Sequence, residues 1–86
     1  MELAVLEKKW NIRLLAHLHG KEPQRFKELL KICDRDATLS ARLKELERHG
    51  LIEAIPVKAH SQKFFAYQLK PEGNRVANLL AQIAKK

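Results

Sequence analysis

The sequence predicts an α+β domain that is mainly α-helical and carries one two-stranded β-hairpin. Before residue 50 and again after residue 70, apolar residues recur every three or four positions, which is the period of amphipathic helices. Between residues 51 and 69 the period falls towards two, and β-branched and aromatic residues become common, which indicates strands. The chain has 86 residues, enough for one modest core, so we expect residues 1–86 to form a single domain.

The first helix is expected over Leu3–His19 and should end near Gly20. Its main apolar stripe consists of Leu3, Leu6, Trp10, Leu14 and Leu18. Val5, Ile12 and Leu15 lie off that stripe, and a helix that is apolar on more than one side needs more than one packing partner. This extra surface is therefore either deeply buried or in contact with a second subunit, and in so short a chain we favour the second subunit.

A turn at residues 21–24 leads into a short amphipathic helix over Arg25–Ile32. A tight connection of residues 33–35 then precedes a longer helix that ends before Gly50, a residue suited to the left-handed conformation at a helix end. At its start, Asp34 or Asp36 is expected to accept a hydrogen bond from a free backbone amide. The two helices and their short connection have the lengths of a helix-turn-helix.

The longer helix has two dissimilar faces. One face is apolar and is formed by Leu39, Leu43 and Leu46; the opposite one is small and basic and is formed by Ala37, Ala41, Lys44 and Arg48. Thr38 and Ser40 are also short, and short side chains let a helix backbone approach another surface closely. The major groove of B-DNA admits one α-helix, and hydroxyl and cationic side chains donate to phosphates and base edges. The alternative is an ordinary amphipathic helix of a small helical domain.

A β-hairpin is expected next, with strands over residues 51–57 and 63–69 and a polar loop over residues 58–62. Pro56 places the first strand at a sheet edge or at a bulge. The tip is basic and contains no acidic residue: it consists of Lys58, His60, Ser61, Gln62 and Lys63, with Ala59 between them. Such a tip would meet the phosphate backbone or a minor groove; the alternative is a solvated hairpin end.

The last helix opens at Lys70-Pro71-Glu72-Gly73, where proline suits an early helical position. Its apolar stripe consists of Val76, Leu79, Leu80 and Ile83. This helix would pack either on the first helix of its own chain or on that of a partner subunit.

Composition narrows the class of protein. Seventeen Lys and Arg against ten Asp and Glu give a net charge of +7, which favours an anionic partner such as nucleic acid over a role of the charge in solubility alone. The one cysteine, Cys33, cannot form an intramolecular disulfide, which suggests a reducing, cytoplasmic location. No targeting or membrane-spanning segment is expected. Metal-ligand spacings, phosphate loops and nucleophile motifs are absent, so we expect no enzyme and no cofactor.

Several short motifs resemble the HxlR-type regulators, small relatives of the MarR group. They run in the family's order from about Lys9 to Arg75. They are Lys9-Trp10, Arg25-Phe26-Lys27-Glu28-Leu29, Leu39-Ser40-Ala41-Arg42-Leu43-Lys44-Glu45-Leu46, Gly50-Leu51-Ile52 and Tyr67-Gln68-Leu69-Lys70-Pro71-Glu72-Gly73. The resemblance implies a winged helix-turn-helix, with three helices, a two-stranded wing and a C-terminal helix. Many such regulators carry a sensing cysteine before the tryptophan; none precedes Trp10 here, so that role does not carry over.

The resemblance also implies a homodimeric, sequence-specific regulator bound to double-stranded DNA, with the terminal helices as dimerisation elements. By position, the residues facing bases or adjacent phosphates would be Thr38, Ser40, Ala41 and Lys44. Arg35 and Arg42 would flank them, residues 58–63 would form the wing tip, and Arg25 and Lys27 would lie near the DNA backbone. The competing hypothesis is a winged helix that binds another protein within a larger transcription or processing assembly.

Overall fold

The structure, a computed structural model, describes residues 3–84; residues 1–2 and 85–86 of the predicted domain lie outside the described residues. The fold is α+β and mainly helical, as the sequence predicted. The elements are α1 (Leu3–Glu7), α2 (Asn11–Leu18), β1 (Gln24–Arg25), α3 (Phe26–Leu29), α4 (Asp36–Arg48), β2 (Ile52–Ala59), β3 (Gln62–Leu69) and α5 (Pro71–Ala84).

The prediction of one continuous helix over Leu3–His19 was wrong, because the chain breaks between α1 and α2. Trp10 takes the left-handed conformation, with φ of 81°, which no α-helix accommodates. With the chain broken here, Val5 of α1 lies in the core, and Leu15 of α2 is buried as well. Both residues therefore pack within their own chain instead of on a second subunit. Of the three off-stripe residues only Ile12 is exposed, at 44% of its surface.

The second helix is shorter than predicted, because α3 has only four residues. Arg25 is the N-cap residue, and its backbone N–H donates to Glu28 Oε1 at 2.8 Å, so the first turn is fixed by a side chain. Single turns continue to Cys33, whose N–H donates to the carbonyl of Leu29 at 3.2 Å. The predicted turn at residues 21–24 ends in β1, a two-residue strand that the sequence did not predict.

The helix α4 matches the prediction in its bounds and in its buried face of Leu39, Leu43 and Leu46. The predicted side-chain cap was wrong: the residue before the helix is Arg35, and it forms no capping hydrogen bond. Asp36 instead lies in the first turn, where its negative charge interacts favourably with the helix dipole. At the other end Gly50 has φ of 73°, and the Leu51 N–H donates to the Leu46 carbonyl at 3.0 Å. These two features form a Schellman motif.

The wing belongs to a three-stranded antiparallel sheet in the order β1-β3-β2. Pro56 therefore lies in an edge strand, as predicted. The loop predicted over residues 58–62 is in fact a two-residue turn at His60 and Ser61, with φ of 51° and 64°. Positive φ at both central residues is the geometry of the type I′ turn, which matches the twist of a hairpin. Lys58 and Lys63 consequently lie within the strands and face each other directly.

The helix α5 begins at Pro71, as predicted, and packs on α2 of its own chain. Val76 and Ala77 are buried, and Leu80 packs on the core. The other members of its predicted stripe, Leu79 and Ile83, remain exposed at 52% and 67%. Within the chain, α5 therefore buries only part of its apolar face.

Candidate nucleic-acid interface

The outward face of α4 lies opposite its buried leucines. It consists of Ala37, Ala41, Lys44 and Arg48, and all four are exposed. Arg48 was not among the predicted DNA-contacting residues, although its spacing of four from Lys44 places both on one helix face. The face combines small residues near the start of the helix with two cations towards its end. We call this surface the α4 outward face.

The other predicted residues of α4 lie on its flanks. Thr38, Ser40 and Arg42 are each half-buried, whereas Ala41 and Lys44 are exposed. Thr38 and Arg42, four residues apart, share the flank that faces the α1–α2 junction, while Ser40 lies on the other flank. The predicted set therefore divides into an outward pair and three side chains at the edges of that face.

A buried polar network joins α4 to the α1–α2 junction. Asn11 is 0% exposed; its Nδ2 donates to the Val5 carbonyl and to Glu45 Oε1, the latter at 3.0 Å. Lys8 Nζ lies 3.0 Å from Glu45 Oε2, and Arg42 Nη1 lies 3.7 Å from Glu45 Oε1. The Asn11 amide, followed by Lys8 and Arg42, holds the pKa of Glu45 below its ordinary value against the opposing effect of burial. Glu45 therefore fixes the junction and Arg42 while ionised.

Glu45→Gln keeps an acceptor for Asn11 and removes only the charge. We expect it to lower the free energy of unfolding by about 1 kcal/mol at pH 7, which is the difference between a hydrogen bond to a charged acceptor and one to a neutral acceptor. Because the folded-state pKa of Glu45 is depressed, this stabilisation is present above the unfolded-state pKa and is lost as pH falls through the folded-state value. Urea denaturation of both proteins at pH 7 and at about pH 3 should show the difference shrinking in acid.

The exposed Glu7 on α1 provides the matched control, since Glu7→Gln changes the net charge equally outside the network. An equal loss for Glu45→Gln at both pH values would show that its charge contributes nothing to the junction.

Two predicted backbone-contacting residues flank the start of α3. The guanidinium carbon of Arg25 lies 4.1 Å from the centroid of the Phe64 ring, a cation–π contact that holds Arg25 against the wing. Lys27 is exposed two residues further along the chain, and Arg35 is exposed just before α4. Arg25 is therefore held in position by the sheet.

The wing tip gathers the remaining predicted residues. Lys58, His60, Ser61, Gln62 and Lys63 are all exposed. Lys58 pairs with Lys63 across the two strands, and like charges directly opposite each other destabilise a hairpin. An anionic partner would relieve that repulsion.

At the other end of β3, burial raises the pKa of Tyr67, and the nearby Glu47 carboxylate adds to the shift.

Within residues 3–84 the structure contains no group of three His, Cys, Asp or Glu side chains that could hold a metal ion. Over the same residues, no helix is both long and apolar enough to cross a membrane.

The structure combines a short helix, a tight connection, an exposed small-and-basic helix face and a basic hairpin. Together these features define a DNA-binding transcriptional regulator of the winged-helix class. A family model described as HxlR-like helix-turn-helix matches residues 5–86. The chain belongs to the HxlR-like helix-turn-helix family, as its motifs indicated. Proteins of this class are regulators of transcription and are not enzymes, as the sequence predicted.

Known structures give the same fold. A transcriptional regulator of the MarR family from Enterococcus faecalis V583 is 26% identical, with a TM-score of 0.81 over 96% of this chain and 76% of that one. The reduced form of the transcriptional regulator YodB from B. subtilis is also 26% identical, with a TM-score of 0.78 over 96% and 81%. A transcriptional regulator homologue from Pyrococcus horikoshii OT3, at 20% identity and a TM-score of 0.79 over 99% and 85%, shows the fold alone. No curated protein matches the chain in sequence.

Proposed function

We propose that the protein is a sequence-specific, homodimeric regulator that inserts α4 into the major groove and lays its wing on the adjacent backbone or minor groove. The observation that carries this proposal is the α4 outward face. Ala37 and Ala41 allow the helix backbone to approach the groove floor, and Lys44 supplies a donor to a base edge or phosphate. Thr38, Ser40 and Arg42 would contact the groove walls from the flanks.

The wing and the start of α3 would supply contacts that position the protein without reading sequence. Lys58 and Lys63 would contact neighbouring phosphates, because their cross-strand pairing places two positive charges side by side. Arg25, held over Phe64, and the exposed Lys27 would contact the backbone on the other side. With about six to ten phosphate contacts per dimer, affinity should fall steeply with salt.

The dimer would form through the exposed apolar residues of α2 and α5. Ile12, Leu79 and Ile83 lie on this packed helix pair, and Leu79 and Ile83 are four residues apart on one face of α5. A second copy of the chain would bury them. Two recognition helices related by a two-fold axis would then meet half-sites one helical turn apart, about 34–36 Å.

Ile83→Glu is expected to weaken the dimer at least about tenfold, which corresponds to about 1.4 kcal/mol, because a charge would replace an apolar contact. Analytical ultracentrifugation over a range of concentrations measures this change. Gln82→Glu is the matched control: the residue is an exposed neighbour that points about 100° away, and the variant introduces the same charge. Equal dimer stability for the two variants would exclude this face of α5 as the interface.

The function is tested by electrophoretic mobility shift of the purified protein on DNA from its own upstream region, at low and near-physiological salt and with unrelated competitor DNA. We expect a discrete complex that resists competitor and weakens with salt. Binding that disappears on adding competitor at low salt would contradict sequence-specific recognition of this DNA, and the absence of binding at any salt would contradict the proposal as a whole.

A further inference from the structure

We propose that a cleft beside α4 binds an oxyanion, meaning a phosphate or carboxylate group, at a site distinct from the α4 outward face. The cleft has a volume of about 450 Å³ and lies between the α1–α2 junction and the segment that leads into α4. Lys9 and Trp10 form one wall, and Arg35, Thr38 and Arg42 form the other. This volume lies within the range of about 300–1,000 Å³ that is usual for small-molecule sites.

The charge of the cleft favours an anion. Three cations, Lys9, Arg35 and Arg42, line it together with a single carboxylate, Asp34. Three positive charges less one negative charge leave an excess of two. Clefts lined mainly by one sign of charge concentrate counter-ions, because their low-dielectric walls focus the field. Chemically, the ligand best suited to this cleft is one that carries at least one negative charge on oxygen.

Arg42 supplies an unused donor on the α4 side of the cleft. Its Nε is buried and has no hydrogen-bond partner among the described residues, while its Nη1 lies 3.7 Å from Glu45. A buried N–H without an acceptor is unfavourable, and an oxyanion offers two acceptor oxygens that match the planar guanidinium. Thr38 also lines the cleft, and a threonine hydroxyl can donate a hydrogen bond.

Trp10 gives the cleft a firm apolar wall and a built-in reporter. Lys9 Nζ and Arg13 Cζ lie 5.1 Å and 5.5 Å from the centroid of its ring, so cation–π contacts restrain the indole. Trp10 is the only tryptophan of the chain, so the tryptophan fluorescence comes from a residue of this cleft.

Two sources present the same oxyanion chemistry: a free small anion and a backbone phosphate of bound DNA. The test on the full chain starts without DNA. We expect sodium phosphate to change the Trp10 emission in a saturable way, whereas sodium chloride at matched ionic strength does not. Isothermal titration calorimetry runs in parallel, so that binding is detected even where the indole emission stays constant.

Lys9→Gln should weaken phosphate binding about tenfold, since it removes one charge-assisted donor. Lys31→Gln is the matched control, because Lys31 is exposed and does not line the cleft. The affinity of both variants for duplex DNA in phosphate-free buffer then identifies the source. An unchanged DNA affinity for Lys9→Gln assigns the site to a free anion, and a loss specific to Lys9→Gln assigns it to a backbone phosphate.

The proposal is overturned if neither method detects phosphate binding beyond that of chloride, or if the two variants bind phosphate equally. Because the phosphate titration contains no DNA, its failure would leave the DNA-binding function untouched.

Discussion

Lys44→Glu is expected to reduce the affinity for operator DNA by about a hundredfold or more, while the fold stays intact. A contact to a base edge or phosphate contributes about 1–3 kcal/mol, and a two-fold dimer loses it twice and gains two repulsive carboxylates. Lys44 is exposed on the α4 outward face and forms no ion pair with another described residue, so its reversal removes nothing from the core. Mobility shift or fluorescence anisotropy measures the affinity, and circular dichroism checks the fold.

Lys70→Glu is the control for this prediction. Lys70 is also exposed, and its reversal changes the net charge by the same amount, but it lies at the base of the wing between β3 and α5. We expect only the general electrostatic loss from Lys70→Glu, which is reduced by salt. If Lys44→Glu bound DNA as tightly as Lys70→Glu, α4 would not present this face to the groove.

Gly73→Ala is expected to lower the free energy of unfolding by about 1–3 kcal/mol, the range for overpacking a rigid interior. The expected sign is informative, because alanine in place of glycine inside a helix normally stabilises it by about 1 kcal/mol. Here a Cβ atom on Gly73 would lie 1.9 Å from the carbonyl oxygen of Leu51. That carbonyl is itself held by the N–H of Lys70 at 2.9 Å, so it has little freedom to move away. Urea denaturation measures the change.

Asn78→Ala provides the comparison within α5, since Asn78 is exposed on the same helix. Its unfolding free energy should stay within about 0.5 kcal/mol of that of the unchanged protein. A Gly73→Ala variant as stable as Asn78→Ala would mean that α5 shifts away from Leu51 at no cost.

The sequence predicted those elements that carry their own boundary signals. The bounds of α4 follow from its leucine period and from Gly50, and α5 begins at Pro71 because proline is readily accommodated in the first turn of a helix. The edge position of β2 follows from Pro56, which has no N–H to donate to a second neighbouring strand. In each case a local residue type limits the backbone directly.

The elements that were missed depend on contacts distant in sequence. The break at Trp10 has no glycine or proline to mark it, and the apolar period continues through it; the junction is tied instead to Glu45 on α4. The strand β1 has only two residues and forms because β3 offers it a free edge. The turn at His60 and Ser61 lacks the asparagine–glycine pair that usually marks such turns.

The candidate site was predictable in composition but not in arrangement. The helical period placed Lys44 on the outward face, and the acid-free stretch at the hairpin tip indicated a basic wing. The packing of the flank of Thr38 and Arg42 beside the α1–α2 junction depends on contacts of Asn11 and Lys8 with Glu45, which form only after folding. The cleft on that flank could not be inferred from the sequence for the same reason.

The two-residue turn of the wing limits how its reach can vary. Side chains alternate between the two faces of a strand. One extra residue inserted in each strand after Lys58 and before Lys63 would therefore move the residue pair that follows to the opposite face. Two extra residues in each strand would restore the original face and extend the tip by about 7 Å. To lengthen this wing and keep each side chain on its face, evolution or design must add an even number of residues to each strand. The length of the wing can therefore change only in increments of about 7 Å.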